Sequence, residues 1–412
     1  MKKSILFVDD EAHVLDGLQR MLRTKRDEWD MHFARNGSEA LAIVKSGHID
    51  VIVSDMRMPG MDGNQLLSAV MQCSPDTIRF VLSGHADQES IYKAIGTTHQ
   101  YMAKPSNAES MINTIERAFA IRDILKKDSL KQLVTHIRMI PSLPDLYLQV
   151  VNELRSPNAS THKVGQIIAQ DIGMSAKVLQ LVNSAFFGLR RHIAEPAQAA
   201  ALLGLDVLKS LVLMAQVFSQ VEKSFPAGYS LQILWTHSLA VAHSARTIAK
   251  NNQVDKKSVD DAFMSGLFHD LGKLVLIVNM PEQYGQVLHL IQDAKKEQTE
   301  AEREVFGGTH EEVGAYLLGL WGFADPVMES ASFHHRPSTN IGTEFCSLTA
   351  VHVANVFVNE FEAAGKKPSL TALDVAYLER IGCADQIEAW HDLCMAVCNQ
   401  GAKSDEEDSL RG

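Results

Sequence analysis

Four short apolar runs in the first quarter of the chain are each followed within two residues by a polar group. Ile5-Leu6-Phe7-Val8 leads to Asp9 and Asp10, Val51-Ile52-Val53 to Asp55, Phe80-Val81-Leu82 to Ser83, and Tyr101-Met102 to Lys104 with Pro105 after it. Strands that are apolar on both faces and alternate with amphipathic helices predict a parallel sheet covered on both sides. In such a sheet the carboxyl ends of the strands converge on one crevice, where ligands bind. Three acids, a hydroxyl and an ammonium would then share a pocket, a composition suited to a divalent cation and a phosphoryl group. Acids at strand ends also cap helices; the ordered set of five positions favours the pocket.

The segments FVDDE, VSDMRMPGMDG, VLSGHAD and YMAKP resemble those of the two-component response-regulator receiver domain, over about residues 1–122. The resemblance implies a flavodoxin-like, doubly wound α/β fold with a parallel five-stranded sheet. It implies Asp55 as phosphoacceptor, Mg²⁺ held by Asp9, Asp10 and Asp55, and Ser83, Tyr101 and Lys104 as the switch and phosphoryl contacts. Lys104-Pro105 matches a position where receivers usually carry a cis peptide. A carboxylate is a weak nucleophile, but it attacks a phosphohistidine once the phosphoryl charge is neutralised.

At 412 residues the chain is too long for one ordinary core. The net charge of −11 and the lack of a concentrated basic face argue against duplex DNA as a partner. No apolar run reaches the length of a membrane span, so no membrane partner is expected. The five cysteines are scattered and match no zinc spacing, which fits reduced thiols in the cytoplasm. Cys394 and Cys398, one helical turn apart, read as packing.

Residues 123–138 read as a helical linker continuing the last receiver helix, either a transmitting element or a spacer. Residues 139–400 read as an all-helical output domain, and 401–412 as an acidic disordered tail around Asp405-Glu406-Glu407-Asp408. Helices are predicted over 161–169, 175–183, 197–203, 207–218, 231–250, 259–268 and 310–320, punctuated by Gly and Pro. Phe186-Phe187 and Trp235 read as core or as a binding groove.

Histidines recur in an ordered series: His237 in WTHSLAVAHSA, His269-Asp270 in GLFHDLGKLVL, His310 in GGTHEEVGAYLL, and His334-His335 in SFHHRP, with Asn355 in VHVANVF. Histidines and carboxylates on separate helices can converge on a metal inside a bundle, and bound metal can generate hydroxide for phosphoester hydrolysis. This series resembles the HD phosphohydrolase superfamily. MIPSLPDLYLQVVNEL, AQDIGMSAKVLQLVNSAFFG and ALLGLDVLKSLVL resemble its HDOD branch, with Ile172 where proline is frequent.

HDOD domains are mostly regarded as regulatory. The resemblance implies a vestigial metal site at His237, His269, Asp270, His310, His334, His335 and Asn355 for iron, manganese or another divalent ion. Lys273 would be the phosphate contact. The final ligand, an aspartate in active HD enzymes, aligns with Asn355, which offers a neutral carbonyl oxygen. The GYP segment of cyclic-di-GMP phosphodiesterases is absent, HHRPSTNIG standing in its place. Three readings stay open: an inherited non-catalytic site, a working phosphodiesterase, and histidines that only pack and cap helices. The expected whole is a cytoplasmic response regulator, phosphorylated by a histidine kinase or phosphotransfer protein. Its HDOD domain would act on a protein partner, with a homodimer compatible with receiver behaviour. The alternative is a phosphorylation-gated, metal-dependent phosphodiesterase acting on a cyclic dinucleotide.

Overall fold

The computed structural model describes residues 2–83, 98–104, 108–122, 140–142, 149–150, 152–154, 156, 158–183, 193–209, 218–220, 231–362 and 373–409. The chain divides into two units. One comprises Met1–Val221 with Gly319–Gly322; the other comprises Glu222–Leu318 with Phe323–Gly412. The division falls inside the region read from sequence as one output domain.

In the first unit, β1 (Lys3–Val8), β2 (Trp29–Ala34), β3 (Val51–Asp55), β4 (Ile78–Ser83) and β5 (Gln100–Ala103) form one sheet in the order β2-β1-β3-β4-β5. Every pairing is parallel, with Ile5 opposite Val51 and Val53 opposite Phe80. Ile5, Leu6, Phe7, Val51, Ile52, Val53, Phe80 and Val81 are all buried, as strands covered on both faces require. The strand order reverses between β1 and β3. Right-handed crossovers therefore put α1 (Ala12–Met21) over one face, and α2 (Gly37–Ser46) and α3 (Gly63–Cys73) over the other; α4 (Ala108–Arg122), which follows the last strand, pairs its Glu116 with Lys25 just beyond α1. Asp9 and Asp55 stand at the carboxyl ends of the two strands that flank this reversal, where ligands of such sheets bind.

The same unit continues with α5 (Thr161–Ile168), α6 (Ile172–Val182) and α7 (Pro196–Lys209). Asp171 accepts a hydrogen bond from the Met174 amide at 2.8 Å and so caps α6. Ile172 takes the first helical position, where proline is also tolerated, so the departure from the HDOD pattern leaves the helix intact. An all-helical region was expected here, but β6 (Ile140–Ser142) pairs in parallel with β7 (Phe218–Gln220). Each strand is only three residues long, too short for period-two alternation to show in the sequence.

The second unit is built on α8 (Leu231–Asn251), α9 (Lys256–Phe268), α10 (Leu271–Asn279), α11 (Pro281–Gln292), α12 (Gln298–Phe306), α13 (His310–Leu320), α14 (Asp325–Phe333), α15 (Ser347–Glu362), α16 (Val375–Arg380) and α17 (Ile387–Ser409). Val241, Ala245, Ile248, Phe357, Trp390 and Cys394 share a core between α8, α15 and α17. The packing role read for Cys394 and Cys398 matches their burial there. The acidic stretch Asp405–Asp408, expected to be disordered, lies within α17. A helix nucleated by buried Trp390, Cys394 and Cys398 can propagate through such residues, since elongation costs far less than nucleation.

The linker 123–138, Pro105, Phe186-Phe187 and the side chains of Ser83, Tyr101 and Trp235 lie outside the described residues.

Candidate functional site

The receiver pocket begins with β1 and β3. Their parallel pairing sets Val8 opposite Ser54 and so carries Asp9 and Asp55 to neighbouring strand ends. Both carboxylates are buried, whereas Asp10 is exposed. Lys104, one residue beyond β5, donates from Nζ to Asp9 Oδ2 at 2.6 Å and also to Asp55 Oδ1. The other oxygens are held from the backbone: the Glu11 amide donates to Asp9 Oδ1 at 3.0 Å, and the Arg57 amide to Asp55 Oδ2 at 2.8 Å. Gly63 at the start of α3 lets this loop close. A Cβ there would lie 2.3 Å from the Asp55 carbonyl oxygen, closer than any side chain can sit.

Burial pushes the Asp55 carboxyl pKa up, and the Asp9 charge adds to it, against the opposing pull of Lys104. Burial works against the Lys104 ammonium, but its bonds to Asp55 and Asp9 outweigh that and raise its pKa. One ammonium offsets only part of the charge of two buried carboxylates, which leaves the pocket anionic. That set of hard oxygens fits Mg²⁺.

The second cluster lies wholly in the second unit. His237 projects from α8, His269 and Asp270 from the junction of α9 and α10, His310 from the start of α13, and His334 and His335 from the end of α14. Gly272 brings these elements together: a Cβ on it would lie 1.9 Å from the His310 carbonyl oxygen. Ligand-type atoms fall into two groups that share Asp270, one with His310, His334 and His335, the other with His237 and His269. His310 Nε2 and His334 Nε2 lie 3.4 and 3.5 Å from Asp270 Oδ1. On the other side, His269 Nε2 is 3.5 Å and His237 Nε2 is 3.9 Å from Asp270 Oδ2, and Lys273 Nζ donates to that oxygen at 2.7 Å.

The outward ring nitrogens are tied down. His310 Nδ1 donates to Glu302 at 2.6 Å, and His269 Nδ1 to the Gly266 carbonyl at 2.7 Å. His334 Nδ1 faces the Ser330 and Ala331 carbonyls at 3.1 and 3.2 Å, and His237 Nδ1 faces Glu362 at 3.1 Å. Such bonds fix the tautomer and aim Nε2 inward, as around metal-bound imidazoles. His310 Nε2 is 3.2 Å from His335 Nε2 and 3.5 Å from His334 Nε2. Buried His269 Nε2 and Asp270 Oδ1 have no hydrogen-bond partner among the described residues. Inward lone pairs with an orphaned nitrogen and oxygen fit a divalent cation.

Electrostatics agree. Burial drives the His269 pKa well down, and burial with neighbouring His334 and His310 does the same for His335, keeping both rings neutral. Burial alone would raise Asp270, but His269, Lys273, His334 and His310 hold it well below the carboxylate range.

Asn355 faces this cluster from α15. Its Oδ1 lies 3.0 Å from His237 Nε2 and accepts from Asn359 Nδ2 at 2.8 Å. Asn355, Asn359 and Glu362 follow one another at helical spacing on one face, and all three serve His237 directly or through Asn355. Glu362 and Glu302 were missed by sequence reasoning. Glu362 could have been found from its place seven residues after Asn355. Glu302 carries no motif signal: it sits eight residues before His310 on a separate helix and is fully buried. Burial opposes its charge, yet the hydrogen bonds and field of His310 hold its pKa below the usual range.

The response regulator receiver domain model matches residues 5–116, and the HDOD domain model matches residues 140–337. An uncharacterized protein of Treponema pallidum is 25% identical over 259 residues, 60% of this chain and 46% of its own. The uncharacterized transcriptional regulatory protein YesN of Bacillus subtilis is 33% identical over 158 residues, 35% of this chain and 41% of its own. The chain therefore spans less than half the length of these two relatives. Among solved structures, the MmoQ response regulator of Methylococcus capsulatus covers 62% of this chain and 98% of its own, at 22% identity and a TM-score of 0.47. The chain belongs to the response regulators, carrying a receiver domain followed by an HDOD domain.

Proposed function

We propose that the protein accepts a phosphoryl group on Asp55 from a histidine kinase or phosphotransfer protein, and that its HDOD domain answers by changing its affinity for a protein partner. The observation that carries the first half is the Lys104 ammonium shared between buried Asp9 and Asp55 at adjoining strand ends. An Asp55 oxygen attacks phosphorus, the bond to the donor nitrogen breaks, and the imidazole leaves with the electron pair. Lys104 is already in place to neutralise the incoming phosphoryl oxygens. Mg²⁺, when bound by Asp9, Asp10 and Asp55, supplies further positive charge to the same oxygens. Ser83 and Tyr101 complete the switch in this reading. The test is incubation with acetyl phosphate and Mg²⁺: wild type gains acid-labile phosphate, and Asp55→Asn gains none. Equal labelling of both proteins sinks the assignment.

For the HDOD domain the geometry favours a binding role with one divalent ion. Among the described residues Asp270 Oδ1 has no hydrogen-bond partner and faces His310 and His334, whereas Oδ2 already accepts from Lys273. Asp270, His310, His334 and His335 would hold that ion. It would supply a fixed positive centre joining four helical elements. On the other side Asn355 replaces a carboxylate and its oxygen already accepts from Asn359. The phosphodiesterase reading draws support from Asp270, which both groups of histidines share. Hydrolysis of cyclic dinucleotides by phosphorylated protein with Mn²⁺, abolished by His269→Ala, would replace the binding role.

A further inference from the structure

Within the first unit, helix α6 of the HDOD region touches the receiver through a contact that is polar and buried. Gln180 Nε2 donates to the His99 carbonyl at 3.0 Å, and Gln180 Oε1 accepts from Lys177 Nζ at 3.2 Å. The Lys177 ammonium lies 4.4 Å from the centroid of the Trp321 ring. Lys177, Gln180, Trp321 and His99 are all buried. A buried lysine beside a buried amide is retained against a large desolvation cost, which marks a contact with a task beyond packing.

His99 is itself locked into the sheet. Its Nδ1 accepts from the Arg79 amide at 3.0 Å. His99 directly precedes β5, and Lys104 directly follows it. Among the described residues β5 is the edge strand of the sheet, next to β4 and four residues long. It is therefore gripped at both ends, by Asp9 and Asp55 through Lys104 and by Gln180 through His99. An edge strand held by one ladder is the sheet element that shifts at least cost. A phosphoryl group on Asp55 changes the ionic partner at one end of it.

We propose that the Lys177–Gln180 face of α6 is the dock on which the HDOD region holds its own receiver through the start of β5, and that phosphorylation of Asp55 loosens this dock. The second half rests on Asp55 being the phosphoacceptor. Burial lowers the Lys177 pKa to about 7, so the polar string would become unstable if water were excluded without Gln180 and Trp321 to receive the ammonium.

The experiment is hydrogen exchange of the full chain read by mass spectrometry, with phosphate on Asp55 scored in parallel on a phosphate-affinity gel. Gln180→Glu keeps the size and the Lys177 partner but has no donor for the His99 carbonyl; Gln180→Ala is the second variant. Losing one buried neutral hydrogen bond predicts exchange about fivefold faster in residues 98–104 and 172–182 of Gln180→Glu. Residues 347–362 should stay unchanged, showing an intact fold. Unchanged exchange at 98–104 in both variants overturns the dock. Acetyl phosphate should speed the same two segments in wild type. A protein that carries phosphate on the gel but shows no such rise overturns the loosening while leaving Asp55 as acceptor. No phosphate on the gel overturns the acceptor reading, and Gln180→Glu then decides the dock alone.

Discussion

Replacing Lys177 by methionine should stabilise the protein at neutral pH and remove a pH dependence. The ammonium is buried between Trp321 and Gln180, and burial lowers its pKa from 10.5 to about 7. At about 1.4 kcal/mol per pH unit, that gap puts a ceiling of about 5 kcal/mol on the cost of burying the charged form. Between about pH 7 and 10.5 the unfolded chain binds a proton that the folded chain has released. Stability therefore rises with pH across that window and is flat for this group below it. Methionine is unbranched and of similar length, so it fills the site without a titrating group. It leaves Gln180 Oε1 without its donor, a loss of about 1 kcal/mol. The variant should exceed wild type by about 2–4 kcal/mol at pH 7, and the gap should fall to about 1 kcal/mol or less by pH 10. Urea unfolding of both proteins from pH 6 to 10, by circular dichroism and tryptophan fluorescence, measures the difference. Cysteines and tyrosines titrate equally in both and cancel. A gap that does not change with pH, or a variant weaker than wild type at pH 7, would refute the reasoning.

Gly272→Ala places a methyl 1.9 Å from the His310 carbonyl oxygen and should cost more than about 3 kcal/mol. Gly17→Ala in α1 meets nothing within 4 Å and should raise stability by about 0.5–1 kcal/mol, so thermal melts of the two must move in opposite directions. Glu302→Gln removes the carboxylate that holds His310 Nδ1 and should weaken Mn²⁺ binding about 10–100-fold by calorimetry, with unchanged affinity counting against a metal at His310. Asn355→Asp adds an anion beside His237 and should tighten Mn²⁺ binding or add a second equivalent.

The receiver was legible because its signals are local. Burial on both faces writes continuous apolar strands, and each functional residue follows its strand directly, so the order of Asp9, Asp55 and Lys104 survives into space. The histidine series was legible for a similar reason: His269, His310, His334 and His335 lie at helix ends, and His237 sits within a helix that faces the same centre. What escaped were supports whose meaning is only spatial. Glu302 reaches His310 from a different helix, and nothing in EAEREVF separates it from the surface acids Glu300 and Glu304. The strands Ile140–Ser142 and Phe218–Gln220 pair across 78 residues of sequence with too few positions to show a pattern. Gln180 and Lys177 carry no motif signal, and their burial beside His99 and Trp321 depends on residues distant in sequence.

The cluster in the second unit also shows why a ligand roll is a poor guide to chemistry. By residue type, six of the seven expected positions carry a histidine or aspartate, and Asn355 looks like a single defect. The oxygens of Asp270 show a larger change. Oδ2, the one nearer His237 and His269, is already matched by the Lys273 ammonium, while Oδ1 toward His310 and His334 has no hydrogen-bond partner among the described residues. A second dication on the Oδ2 side would have to displace or repel an ammonium, with a neutral amide where a carboxylate would have offset its charge. At close range in a buried site such like-charge contacts outweigh the gain from one extra imidazole. Lys273 and Asn355 therefore act in the same direction. They leave one side of the cluster able to take a cation and fill the other with a fixed charge, which suits a rigid binding module better than two-metal hydrolysis.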